Sequence, residues 1–265
     1  MTRTPPAASP LPPPHIPGTG SGALAGRERP FWGDVDLLLA IVWFAFALLI
    51  ASIFTVGATA VGGGDLSLET PVYALFFGTL SFQIMQGAYP WLVSRRKGLG
   101  LGPDWKFAVS LPGDLGRGLL LAVGCLIGAQ VATVGVALLV GLEDSNDASN
   151  TDILVDNQNS PWLIGVIFLV VIGAPLAEEL LFRGLILRVL QKSFGKVLAV
   201  IVSSALFALP HWQAGASWQE TAVLLTALGV VGLVLAIGAI VTDRLGPSII
   251  AHFLFNAMGT ILTLA

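Results

Sequence analysis

The chain has 265 residues, 55% of them hydrophobic and 11% charged, with a mean hydropathy of +0.84 and a formal net charge of −3. Soluble domains carry about 25% charged residues, so this composition excludes an ordinary globular domain and describes a polytopic membrane protein, with no nucleic-acid partner expected. The single cysteine, Cys125, lies inside an apolar run, which excludes an intramolecular disulfide and a cysteine-based metal site.

Residues 1–36 are expected to form a disordered, Pro-rich cytoplasmic tail. Eight prolines fall at 5, 6, 10, 12, 13, 14, 17 and 30, separated by small residues. The tail lacks the apolar core and small-residue cleavage site of a secretory signal, and His15 within it has no assigned role. Residues 37–265 form the transmembrane domain. Seven apolar runs, at about 37–61, 72–93, 119–141, 162–187, 197–212, 221–242 and 247–264, are each near the ~20 residues that cross ~30 Å of hydrocarbon. The fourth is long and the fifth short, ending at Pro210-His211, where proline removes a backbone donor. Runs that are apolar all round, without strict alternation, exclude a transmembrane barrel and define an all-α helix bundle.

Charge sets the orientation. With the N-terminus inside, the segments 1–36, 94–118, 184–196 and 243–246 hold 12 of the 13 Lys and Arg residues, and the thirteenth is Arg183. The opposite side carries Asp65 and Glu69 in one loop and Glu143, Asp144, Asp147, Asp152 and Asp156 in another, with no Lys or Arg. The reading is N-terminus cytoplasmic, seven spans, C-terminus external. Gly62-Gly63-Gly64 reads as a loop entry, and the acidic 142–160 segment as a solvated connector.

Three charged or polar motifs interrupt the last four spans. The first is Gly173-Ala174-Pro175-Leu176-Ala177-Glu178-Glu179-Leu180-Leu181-Phe182-Arg183. A charge at bilayer depth costs at least ~2.5–3.5 kcal/mol, so such residues call for a partner and a function. Glu179 and Arg183 are i and i+4 on one helical face and can pair, while Glu178 points about 100° away and keeps its oxygens for something else. The second motif sets Phe207 and His211 one turn apart. The third sets His252 and Asn256 one turn apart on a common face. Any one of them alone reads as interhelical packing or a hydrogen-bonded pair; the three together, in order on separate spans, do not. Counting ~1.5 Å per residue puts Glu178 ~10–12 Å below the cytoplasmic hydrocarbon boundary, His252 ~8 Å or less, and His211 near the midplane. These depths describe one cavity opening to the cytoplasm, provided that a tilted or broken fifth span brings His211 level.

On these motifs, residues 160–265 resemble the CAAX protease and bacteriocin-processing (CPBP) family of intramembrane proteases; the first three spans match only in being apolar. The resemblance implies a membrane-embedded helical endopeptidase whose catalytic core is the last four spans. Glu178 would be the catalytic carboxylate, and His211 would help hold the attacking water. His252 and Asn256 would stabilise the oxyanion, with Glu179 and Arg183 required for the structure of the site. Such a reaction needs a base for water and donors aimed at the developing oxyanion. No serine or cysteine stands in a nucleophile motif. The helical zinc signature His-Glu-x-x-His is absent, so no cofactor is favoured, although Glu178, His211 and His252 could supply a three-ligand zinc set. The expected partners are the lipid bilayer and a peptide or protein substrate reached from the membrane or cytoplasmic side. The Pro-, Ala- and Gly-rich composition and small size read as those of a bacterial plasma-membrane protein. Two alternatives come from other classes. A transporter would have ionisable groups in both halves, and a scaffold or immunity protein would leave its site unused.

Overall fold

The computed structural model describes residues 32–64, 70–142, 154–155, 158–213 and 215–265. The Pro-rich segment up to residue 31 and all seven acidic loop residues named above lie outside the described residues, and with them most of the expected disordered tail and solvated connector; of the described remainder, Trp32 is buried, α1 begins at Asp34, and Leu154 is buried. Among the described residues the chain is all helical. We label the helices α1 (Asp34–Val61), α2 (Val72–Lys97), α3 (Leu101–Trp105), α4 (Gly113–Val140), α5 (Leu163–Phe194), α6 (Lys196–His211), α7 (Trp218–Thr242) and α8 (Gly246–Leu264).

Five of them, α1, α4, α5, α7 and α8, are long and apolar enough to cross a membrane, and the chain is an integral membrane protein. The other two predicted spans differ for identifiable reasons. Helix α2 is long enough but carries Gln83, Gln86, Arg95, Arg96 and Lys97. Helix α6 has 13 α-helical residues followed by a three-residue 3-10 turn, about 24 Å in all. Helix α2 nevertheless runs the full depth of α1, antiparallel to it. Trp43 Nε1 donates to Met85 O at 2.7 Å in mid-helix, and at the end Tyr89 Oη donates to Asp36 O at 3.1 Å while Lys97 Nζ sits 2.6 Å from Asp36 Oδ1.

Helix boundaries follow from local chemistry. Ser217 and Glu220 cap the start of α7 reciprocally, Glu220 N donating to Ser217 Oγ and Ser217 N to Glu220 Oε2. Gly195 joins α5 to α6 at φ +81°, a left-handed conformation that L side chains rarely adopt.

The ends of α2 and α5 and the starts of α4, α6 and α8 gather at one end of the bundle, together with α3. This end carries the basic residues, and it is closed. The 94–118 segment, read from sequence as a connection, folds inward: Trp105 on α3 is fully buried and its Nε1 donates to Pro90 O at 2.8 Å. Asp104 accepts from Ser94 Oγ, Leu99 N, Gly100 N and Trp32 Nε1, which satisfies its buried carboxylate and ties three segments together. Ion pairs Arg244–Asp114 at 2.9 Å and Arg188–Asp243 at 2.7 Å fasten the α7–α8 turn to α4 and α5. Behind them Leu185, Leu187, Val189 and Leu245 are fully buried.

Candidate active site

Helix α5 carries the first motif, and its backbone is not a regular α-helix. Residues 169–173 and 179–186 are π-helical, the wider i→i+5 register that recurs at functional sites. The first π segment has a visible cause in Pro175, which has no N–H. Ala174 N donates to Leu169 O, and the next carbonyl in that register, Val170 O, would need the missing proline hydrogen. A side chain supplies the donor instead: Asn256 Nδ2 on α8 reaches Val170 O at 2.9 Å. Gln83 Nε2 on α2 adds a second bond to Leu169 O at 3.0 Å. Gly173 makes room for it, since a Cβ there would lie 2.1 Å from Gln83 Oε1.

The second π segment holds the ion pair expected from the i, i+4 spacing. Arg183 Nη1 lies 2.9 Å from Glu179 Oε1, and both side chains are buried to 1% exposure or less. Arg183 Nη2 donates to Gly232 O on α7 at 3.2 Å, and the guanidinium carbon sits 4.2 Å from the centre of the Phe207 ring. Phe207 also packs against His211 and His252, so the aromatic residue of the second motif is a shared wall for the other two.

His252 Nδ1 lies 3.0 Å from the same Glu179 Oε1, and its Nε2 lies 3.7 Å from Glu178 Oε2. An ionised carboxylate only accepts, so Nδ1 carries the hydrogen and Nε2 is directed toward Glu178. His211 closes the arrangement from the 3-10 end of α6, with its Nδ1 donating to Phe207 O at 3.1 Å. A carbonyl also only accepts, which leaves His211 Nε2 as the acceptor in the neutral ring. Counted from the Gly195 turn, Glu178 lies 17 residues back along α5 and His211 16 residues on along α6, so helix length alone brings the two to about the same depth.

Glu178, His211, His252 and Asn256 all line one cavity of about 870 Å³. Glu179 and Arg183 are packed behind it. Sequence reading missed two residues of α2, Gln83 and Gln86, which line the same cavity. Gln86 is 2% exposed, and its Oε1 has no hydrogen-bond partner among the described residues. Their signal was available: two amides three residues apart in an apolar run face the same way and need partners. Among the described residues no three His, Cys, Asp or Glu side chains are grouped so as to hold a metal ion. Glu178, His211 and His252 therefore do not form a three-ligand set in this geometry.

The cavity lies in one half of the bundle. Its lining runs from Phe182 and His252 in mid-bundle to Leu262 near the end of α8 and Leu224 near the start of α7, with Leu154 beside them. That is the half away from the basic end.

Fold and site together define a polytopic helical membrane protein with a carboxylate–histidine constellation in mid-bundle. Residues 160–258, about a third of the chain and the part that holds all three motifs, match the model of the Type II CAAX prenyl endopeptidase Rce1-like family. No curated protein and no solved structure matches the chain. The family match supports an intramembrane protease of the CAAX type, acting on a peptide or protein substrate.

Proposed function

We propose that the protein is an intramembrane endopeptidase in which Glu178, without a metal ion, activates water for attack on a peptide carbonyl. The observation that carries this reading is the division of labour between the adjacent carboxylates. Glu179 is fully buried against Arg183 and His252, whereas Glu178 has 14% side-chain exposure and faces the cavity. Glu178 takes the proton as the water oxygen bonds to the carbonyl carbon. The same proton then passes to the departing amine as the C–N bond breaks. His211, held by its Nδ1–H on Phe207 O, offers Nε2 to orient the water. Asn256 has a second amide hydrogen beyond the one on Val170 O, and it flanks the position for the oxyanion together with His252 Nε2, which donates there only when the ring carries a second proton besides the one on Nδ1.

The test is cleavage of a peptide library by the purified protein, compared with Glu178→Gln. Loss of a general base costs ~10²–10⁴-fold in rate, and the variant should bind and melt like the parent. Exhaustive chelation should leave turnover intact. Activity that vanishes on chelation and returns with one equivalent of zinc would end the metal-free mechanism. Cleavage indifferent to Glu178→Gln would end the assignment of the base.

A further inference from the structure

We infer that Gln86 on α2 is a substrate-positioning residue, whose amide oxygen accepts a backbone N–H of the bound chain beside the bond under attack. This rests on the peptidase reading above for the nature of the bound chain, but the availability of the amide stands on separate observations. The first is that Gln86 lacks a partner. It is 2% exposed, it lines the cavity, and its Oε1 accepts no hydrogen bond among the described residues. Six buried side-chain atoms among the described residues share that condition, and of these Gln86 Oε1 alone belongs to a residue of the cavity lining. An amide buried in an apolar helix is destabilising unless it is paired, so an orphan calls for an explanation. Its neighbour Gln83 has one, because Gln83 Nε2 serves Leu169 O in the first π segment.

The second observation is the face on which Gln86 stands. Thr79, Phe82, Gln83 and Gln86 follow the i, i+3, i+4, i+7 spacing of one helical face, and all four line the cavity. Helix α2 is thus a wall of the site, although it lies outside the residues 160–258 that match the family. The terminal torsion of a glutamine is soft, so the amide of Gln86 can turn its oxygen toward a chain in the cavity.

The third is depth. Helices α2 and α5 run in the same direction: Gln83 meets Leu169 early on each, and Trp105 sits against both Pro90 and Gly184 further along. Gln83 fixes their register, since its Oε1 would lie 2.1 Å from a Cβ at Gly173. Three more residues of α2 rise ~4.5 Å, which sets Gln86 opposite about Leu176, half a turn before Glu178. Helical side chains lean toward the N-terminus, so the Glu178 carboxylate leans back to that level. An extended chain advances ~3.3 Å per residue. With its scissile carbonyl at Glu178, a peptide N–H one or two residues away falls at the level of Gln86.

The experiment uses the purified protein and a fluorogenic peptide from the library that the parent cleaves and Glu178→Gln does not. Gln86→Met keeps the side-chain length and removes the amide, and Gln86→Leu is a second apolar variant. A hydrogen bond made equally in the ground and transition states acts on KM, so KM should rise ~10-fold at nearly unchanged kcat. The melting temperature should equal or exceed the parent's, because an unpaired buried oxygen has been removed. In a second arm, the N–H groups of the peptide are replaced one at a time by ester oxygens. One replacement should raise KM ~10-fold for the parent and leave Gln86→Met almost unaffected, the coupling that marks a direct pair. Unchanged KM and kcat in both variants overturns the inference. So does a lowered melting temperature with no ester position that distinguishes the parent from Gln86→Met. A third arm reads binding without cleavage, by fluorescence anisotropy of labelled library peptides in a Glu178→Gln background, where Gln86→Met should weaken binding by the same factor. Weakened binding in a protein that shows no Glu178-dependent cleavage would confirm the role of Gln86 and overturn the peptidase reading alone. Neither cleavage nor binding would overturn both.

Discussion

Arg183 is where the site depends most on a single side chain. It neutralises Glu179 at 2.9 Å, donates to Gly232 O and stacks on Phe207, each on a different helix. Glu179 is fully buried, and its Oε2 has no hydrogen-bond partner among the described residues, so the carboxylate depends on Arg183 and His252 at its other oxygen. Removing one partner of such a pair strands a charge and costs ~3–5 kcal/mol. Arg183→Ala should therefore sharply reduce the yield of folded protein and its melting temperature in detergent. Arg183→Lys should fall between, since lysine keeps the charge but loses the planar fork and the stacking. If Arg183→Ala accumulates and melts like the parent, Glu179 is not held ionised by this pair. At this scale much was legible. Spacing alone gave the Glu179–Arg183 pair and the separate direction of Glu178. It did not give the Glu179–His252 contact, because two residues 73 apart meet only through tertiary packing.

At the scale of the helix, α5 owes its register to Pro175 and to the side chains that serve the carbonyls around it. Substituting Pro175→Ala returns an N–H to a position where Val170 O and Val171 O can use it, so the 169–173 segment should relax toward a regular α-helix. One residue of register turns the helix by about 100°, which would swing Glu178 away from the cavity. The expected result is an enzyme with melting temperature unchanged or raised and with cleavage reduced at least ~10-fold, a separation that simple loss of fold would not give. A variant that keeps full activity would remove the proline from the account. Asn256 tests the same segment from the other side: Asn256→Leu leaves Val170 O without its side-chain donor, which should lower stability by roughly 1–3 kcal/mol, read as a fall in melting temperature. None of this register was legible. Apolar periodicity reports that a run is helical, but one inserted residue shifts it too little to be seen in a stretch that is apolar on every face. The short α3 was missed for a related reason: five residues between two long spans carry no period, and burial of Trp105 follows from tertiary contacts alone.

For the whole molecule the open question is parity, because only five helices are apolar enough to be recognised as spans and two others must be assigned. If α2 stayed on one face, the α2–α4 connection would lie outside and every later loop would change sides. The contacts of α2 decide against this. Lys97 at its end meets Asp36 at the start of α1, and Trp43 in mid-α1 meets Met85 in mid-α2, so the two helices lie side by side over the same depth. Helix α6 is shorter, but it runs from Lys196 at the basic end to His211 beside the exposed Trp212, and α7 starts at Trp218 on that side. Both therefore traverse the layer, which gives seven crossings, as the hydropathy runs and the charge asymmetry indicated. Reporter fusions check this directly. A fluorescent protein, which matures only in the cytoplasm, should be bright when inserted at Gly102 and dark when fused after Ala265, and alkaline phosphatase should give the reverse pattern. A phosphatase signal at Gly102 would place α2 on one face and move the basic end outside. A bright fluorescent fusion at Ala265 would make the number of crossings even.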